Sequence, residues 1–165
     1  MGAPRKLMKS TIAGAVSSVS SVNSLQGTLT TSITTDTLSP NFVEAGTVKL
    51  ARGFTVKLVT VNAAARVRLY ATLASQVADT GTITGGVPSA NRPRTQPPLL
   101  GTQHGVILDL YLNTPDKFTW KLSPSASGFS LDAPPTSTLY YAIDNISGLT
   151  QAIVVTLSYV QTEEA

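Results

Sequence analysis

The chain has 165 residues, of which 42% are hydrophobic and only 13% are charged, and its formal net charge is +3. This length is typical of one domain with an appendage, and the hydrophobic fraction is sufficient for a core. The absence of cysteine excludes a disulfide framework, a cysteine-bound zinc and a thiol nucleophile. There is no apolar stretch of about 20 residues and no run of basic residues, so neither a membrane span nor nucleic-acid binding is predicted.

The charged fraction is about half of the usual 25%. A free soluble monomer normally covers its surface with charge, so this composition favours a protein whose surface meets other protein in an assembly. A weakly charged secreted domain is the alternative. The basic start resembles a signal peptide in charge, but no small-residue cleavage site follows it, so a signal peptide is not predicted.

Residues 1–40 are predicted to form an N-terminal arm that anchors the protein or mediates its oligomerisation. No charged residue lies between Ser10 and Thr35. Apolar residues follow one another at steps of three and four, which is typical of a heptad seam, with a polar Gln26 within it. Three interpretations stay open: a helical stalk, an extended arm ordered against neighbouring subunits, or a disordered linker. The predicted interface residues of the arm are Ile12, Val19, Val22, Leu29 and Ile33.

Residues 41–162 are predicted to form an all-β domain, followed by a polar tail at 163–165. Apolar and polar residues alternate with period two from Gly53 to Val61 and from Arg66 to Leu73. This pattern is typical of half-buried strands, and the short break between the two segments predicts an antiparallel hairpin. Further strands are predicted near 42–50, with a break at Ala45-Gly46, and near 106–112, 118–122, 129–131, 139–144 and 152–160, the last two forming a second hairpin. About seven or eight strands without an intervening helix indicate an antiparallel β-sandwich of jelly-roll or immunoglobulin-like topology.

The β pattern lapses from Asp79 to His104, where glycines and four prolines accumulate. A long segment without secondary structure inside a compact domain is usually an interface or functional loop, or is disordered. We therefore expect an ordered loop on a neighbouring subunit, carrying Arg92 and Arg94, with a mobile loop or a ligand lid as alternatives.

No catalytic, cofactor-binding or metal-binding residues are predicted. His104 is the only histidine, no nucleophile motif accompanies it, and the carboxylates are scattered. Tyr70 and Tyr111 fall on the polar faces of their strands, beside Arg66 and Arg68, and these four residues are predicted to form an interface patch. A sugar stacked on the tyrosines is the alternative.

Three segments of the predicted all-β domain have a recognisable pattern of residues. They are A-R-V-R-L-Y-A-T at 65–72, L-Y-Y-A-I-D-N-I-S-G at 139–148 and the closing V-V-T-L-S-Y. In this respect the domain resembles small β-sandwich structural proteins of tailed bacteriophages, of the tail-fibre, baseplate or capsid-decoration type. The resemblance implies a non-enzymatic part of a virion, built as a homo-oligomer. The predicted partners are further copies of the chain, in a trimer or hexamer, and other virion proteins, with a host surface glycan as an additional partner. A capsid decoration protein and a carbohydrate-binding module are the alternatives to a tail subunit.

Overall fold

The computed structural model describes residues 27–80, the backbone of residues 92–93, and residues 105–113 and 118–163. These residues form one short helix and nine strands, which confirms the predicted all-β sandwich. In chain order the elements are β1 (Leu29–Leu38), β2 (Phe42–Lys49), β3 (Gly53–Val61), β4 (Ala65–Tyr70), α1 (Leu73–Thr80), β5 (Arg92–Pro93), β6 (Val106–Leu112), β7 (Thr119–Phe129), β8 (Thr138–Asn145) and β9 (Gln151–Glu163). Among the described residues, the helix α1 spans eight residues and is too short to cross a membrane.

The strands pair in a nested antiparallel order: β1 with β9, β2 with β8, β3 with β7, and β4 with β6. The chain therefore runs like one long hairpin that closes between β4 and β6. Strand β3 also pairs with β9, and β4 with β8. These pairings wrap the hairpin into two sheets, with strand orders β1-β9-β3-β7 and β5-β2-β8-β4-β6. This is the jelly-roll arrangement, so the structure decides between the two predicted topologies.

The core lies between the two sheets and follows the period-two pattern. In β9 the side chains of Ile153, Val155 and Leu157 are buried, whereas the alternating Val154 and Thr156 are partly exposed. Each buried side chain of this size stabilises the fold by about 1.5–3 kcal/mol relative to an exposed one. A slip of one residue would turn the whole apolar row outward, so the alternation fixes the register of the strands.

Both predicted hairpins are wrong. Strands β3 and β4 follow each other closely in sequence, but they lie in different sheets, and so do β8 and β9. The short links at 62–64 and 146–150 therefore cross from one sheet to the other. Each strand then has its apolar side toward the common core and pairs with a strand distant in sequence. Proximity in sequence was the misleading signal, because short links serve both hairpins and sheet-to-sheet crossings.

The predicted boundary at residue 40 is also corrected, because β1 belongs to the sandwich. Ile33, predicted as an interface residue, is buried in the core, and Leu29 is half exposed at the start of the strand. A helical stalk is wrong for residues 29–38: β1 is rich in threonine, which suits a strand better than a helix. The predicted interface residues Ile12, Val19 and Val22 lie outside the described residues.

Two strands are longer than predicted. Strand β7 continues through Ser123 and Pro124 to Phe129. It lies at the edge of its sheet, where a proline can be placed without costing a ladder hydrogen bond. Strand β2 is continuous through Gly46, where a break was predicted. A Cβ at this position would lie 2.6 Å from the Tyr141 ring, so the glycine makes room for that ring.

Helix α1 was not predicted, and β4 ends at Tyr70 rather than at Leu73. The Thr72 hydroxyl accepts a hydrogen bond from the backbone N–H of Ser75 at 3.1 Å, and the Thr72 carbonyl accepts one from the backbone N–H of Gln76. Thr72 is therefore the N-cap of the helix. The buried residues of α1 are the polar Gln76, Asp79 and Thr80, so the helix lacks the apolar stripe by which a sequence pattern would reveal it.

Candidate functional site

Charged side chains gather on the outer face of the five-stranded sheet. In β4, residues 65, 67 and 69 point into the core, so Arg66, Arg68 and Tyr70 point outward. Asp109 stands directly opposite Arg68 on β6, and α1 brings Asp79 to the same place. We call these five residues the Arg68 cluster.

The arginines of the Arg68 cluster are tied to its carboxylates by short hydrogen bonds. Arg68 donates to Asp79 Oδ1 and to Asp109 Oδ2, each at 2.7 Å. Arg66 donates a hydrogen bond to each carboxylate oxygen of Asp109, from Nε at 2.9 Å and from Nη2 at 2.8 Å. The Tyr70 hydroxyl donates to Asp79 Oδ2. Such charge-assisted bonds are about twice as strong as neutral ones, and they fix the orientation of each partner.

Burial governs the electrostatics of this cluster. Desolvation by itself lowers the pKa of Arg68, but the negative charges of Asp79 and Asp109 outweigh it, and the pKa lies above its ordinary value. Burial raises the pKa of Tyr70, and its hydrogen bond to Asp79 raises it further. The Arg68 guanidinium therefore stays charged and the Tyr70 phenol stays neutral over the whole physiological range.

The arrangement joins three elements that are separate in sequence. Arg68 belongs to β4, Asp109 to β6 and Asp79 to α1. A second polar contact holds the same helix: Gln76 Nε2 donates to the carbonyls of Gly46 and Tyr141 at 2.8 and 2.6 Å. Since both carboxylates of the cluster are held by arginine, its chemistry is that of a structural clasp which seats α1 on the sheet.

The predicted interface patch is corrected by this geometry. Arg66, Arg68 and Tyr70 are buried, with exposed fractions of 7%, 0% and 0%. Tyr111 is different, because it is 55% exposed and its ring covers the Arg66 guanidinium at 4.3 Å from Cζ to the ring centroid. Arg92 lies in β5, of which the structure describes the backbone, and Arg94 lies outside the described residues.

Sequence reasoning missed Asp79 and Asp109 as partners of the arginines. The available signal was complementary charge: two arginines two residues apart on the polar side of β4, and an aspartate on the polar side of β6. His104 lies outside the described residues. Among the described residues, no group of three or more His, Asp or Glu side chains could hold a metal ion.

A groove with a cavity volume of about 450 Å³ opens at one end of the sandwich. We call it the end groove. It is lined by Arg52, Phe129, Ser130, Leu131, Asp132, Pro135 and Glu163. Phe129 and Leu131 are more than half exposed there, so the groove presents apolar surface.

Comparison of the chain with protein-family models, with curated proteins and with solved structures gives no match in any of the three. The class that can be stated is therefore the one that the strand order defines, a jelly-roll sandwich.

Proposed function

We propose that this protein is a non-enzymatic structural subunit of a tailed-phage virion, assembled as a homo-oligomer through its N-terminal segment and its sandwich. A place in the tail, a fibre or the baseplate is the leading version, and capsid decoration is the closest variant. The jelly roll supports this class of role, since it is an architecture shared by viral capsid and lectin domains. The resemblance of the body to small phage sandwich proteins points the same way.

The observation that carries the proposal is where the charges lie. The chain has 21 charged residues, 12 basic and 9 acidic. Five of them are buried in the described part of the chain, namely Glu44, Arg66, Arg68, Asp79 and Asp144. The fold thus removes charge from a surface that was already poor in it. A small domain stays soluble by itself most readily when about 25–35% of its surface residues are charged, so a surface poor in charge suits contact with other protein better than free solution.

The outer face of the four-stranded sheet supports the same conclusion. Its hydroxyls bond to each other across the strands: Ser32 to Thr156 at 3.0 Å, and Thr55 to Ser127 at 2.8 Å. Hydroxyls that are already paired lose less on leaving water than free ones do. A face with paired hydroxyls can be covered by a partner at little desolvation cost.

Measurement of the molar mass by light scattering after size exclusion tests the proposal. At micromolar concentration we expect a stable trimer or hexamer. Deletion of residues 1–26 should leave a folded sandwich with impaired assembly and impaired incorporation into particles. The deletion must stop before Leu29, because β1 is a strand of the sandwich. A full-length chain that stays monomeric at all concentrations would refute the proposal.

A carbohydrate-binding role is the second candidate, and Tyr111 favours it. An exposed aromatic ring held flat by an arginine beneath it is a suitable platform for a sugar. In this case Tyr111→Ala should abolish glycan binding measured by calorimetry. Trp120→Ala is the matched control, because Trp120 is also exposed, at 43%, but belongs to the other sheet. Equal glycan binding by both variants and the unaltered protein would exclude Tyr111 as the platform.

A further inference from the structure

The end groove lies at the end of the sandwich where the described chain begins. Leu29 pairs with Tyr159, so the N-terminal end of β1 and the C-terminal end of β9 meet at one end of the sandwich. Glu163, the last residue of β9, lines the groove. The 26 residues before Gly27 therefore leave the sandwich at the end that carries the groove.

The charges of the groove complement those of these 26 residues. The charged residues that line the groove are Arg52, Asp132 and Glu163, which leaves one net negative charge. Within the described part of the chain none of the three forms an ion pair: Arg52 donates to the Pro135 carbonyl at 3.4 Å, and Asp132 accepts from Tyr140 at 3.1 Å. The segment 1–26 carries three charges, all positive, at positions 5, 6 and 9.

The apolar residues complement each other as well. Phe129 and Leu131 expose 58% and 53% of their surface at the groove. The segment has a series of isolated apolar residues separated by serine, alanine, glycine and asparagine, namely Ile12, Val16, Val19, Val22 and Leu25. Side chains of this size fit a shallow apolar groove one or two at a time, which is how extended peptides usually bind.

The length of the segment favours a neighbouring copy over its own groove. Extended, 26 residues span up to about 85 Å, whereas a domain of this size has a radius of gyration of about 14 Å. Residues 12–22 would lie beyond the edge of their own sandwich if the chain continued in the direction of β1. We infer that the end groove of one copy receives the N-terminal segment of a second copy. The isolated apolar residues of the segment would pack on Phe129 and Leu131, and its basic residues would lie near Asp132 and Glu163. This inference rests on the proposed function, for which it names the contact.

Because the chain lacks cysteine, directed cross-linking of the full-length protein can test this inference. Two differently tagged chains, one with Val22→Cys and one with Leu131→Cys, are co-expressed and mildly oxidised. We expect a disulfide between the two chains. The matched control replaces Leu131→Cys by Leu149→Cys, because Leu149 is exposed to a similar extent, at 67%, but lies in the β8–β9 link at the opposite end of the sandwich. The control pair should cross-link at least tenfold less.

A second pair of variants measures the contribution of the groove to assembly. Leu131→Asp should weaken self-association at least tenfold by light scattering, whereas Leu149→Asp should change it less than threefold; circular dichroism checks that both fold. An oligomer that tolerates Leu131→Asp but needs residues 1–26 would contradict the groove as the binding site of the segment, and it would leave the proposed function standing. In a chain carrying both Val22→Cys and Leu131→Cys, a disulfide within single chains instead of between chains would contradict the inference that the segment in the groove belongs to a second copy. A monomeric unaltered protein would overturn the inference and the proposed function together.

Discussion

Replacement of Arg68 by methionine tests whether the Arg68 cluster stabilises the fold. The guanidinium is fully buried and bonds at 2.7 Å to Asp79, which is equally buried, and to Asp109, which is 20% exposed. Asp109 would keep Arg66 as a partner, so Asp79 is the carboxylate that the loss of Arg68 affects most. Breaking a buried ion pair on one side costs about 3–5 kcal/mol, because the remaining charge stays desolvated. For a domain of this size this corresponds to a fall in Tm of roughly 6 to 20 °C.

Urea and thermal unfolding followed by circular dichroism measure this loss. The matched control is Lys57→Met, because Lys57 is exposed and makes a single 3.2 Å bond to Ser125; we expect less than about 0.5 kcal/mol there. In the double variant Arg68→Met with Asp79→Asn, part of the loss should be recovered, since the stranded charge is gone. If Arg68→Met costs less than about 1 kcal/mol, or the double variant is the sum of the two single ones, the cluster does not stabilise the fold in this way.

Three further predictions concern the described sandwich. Burial raises the pKa of Tyr70 and Tyr141, so both phenols keep their protons in the fold at a pH where the unfolded chain loses them, near 10. The contribution of these two groups to the free energy of unfolding should therefore stay level below pH 10 and fall above it, by about 2.7 kcal/mol per pH unit for the two together, and Tyr70→Phe should reduce the slope by about 1.4 kcal/mol per pH unit. Gly46→Ala should cost about 1–3 kcal/mol in urea unfolding, because the added Cβ meets the Tyr141 ring at 2.6 Å. Thr72→Ala should cost about 1 kcal/mol through loss of the α1 cap.

Each of these predictions has its own contrary result. A free energy of unfolding that does not fall above pH 10 would mean that the phenols are as free to ionise in the fold as in the unfolded chain. An unaffected Gly46→Ala would show that the Tyr141 ring can move away, and Gly27→Ala is its control, because a Cβ at Gly27 meets nothing within 4 Å. Thr72→Ser should retain most of the stability lost in Thr72→Ala, since serine keeps the hydroxyl. Equal losses in the two Thr72 variants would contradict the capping role.

Most strands could be predicted from the sequence, because alternation is a local signal. The row Ile153, Val155, Leu157 in β9 needs no knowledge of the partner strand to be recognised. Strand β1 was missed for a physical reason as well: Ile33 fits both a heptad and a period-two pattern. Its many threonines should have decided the matter in favour of a strand, because β-branched residues pack well on a pleated sheet.

The topology could not be predicted, because the pairs that define it are remote in sequence. Ser32 and Thr156 face each other across β1 and β9 although 124 residues separate them. Nothing in a single sequence specifies such a pair, whereas short links suggest hairpins that do not exist here. The same holds for the site. The polar face of β4 was recognised, but its burial was not, since the partner Asp79 arrives on a helix without an apolar stripe.

The Arg68 cluster also bears on the long connection between β4 and β6. This connection begins with α1, contributes β5 to one edge of the five-stranded sheet and returns to β6 at the other edge. Four strand spacings, or about 19 Å, separate these two edges. Asp79 lies in the last turn of α1, so its bonds to Arg68 and Tyr70 determine where the chain departs. A loss of this clasp should therefore disturb the connection as well as the stability. If the connection meets neighbouring copies, Arg68→Met should weaken assembly at temperatures well below its Tm, whereas Thr72→Ala, which acts at the other end of α1, should leave assembly nearly unchanged.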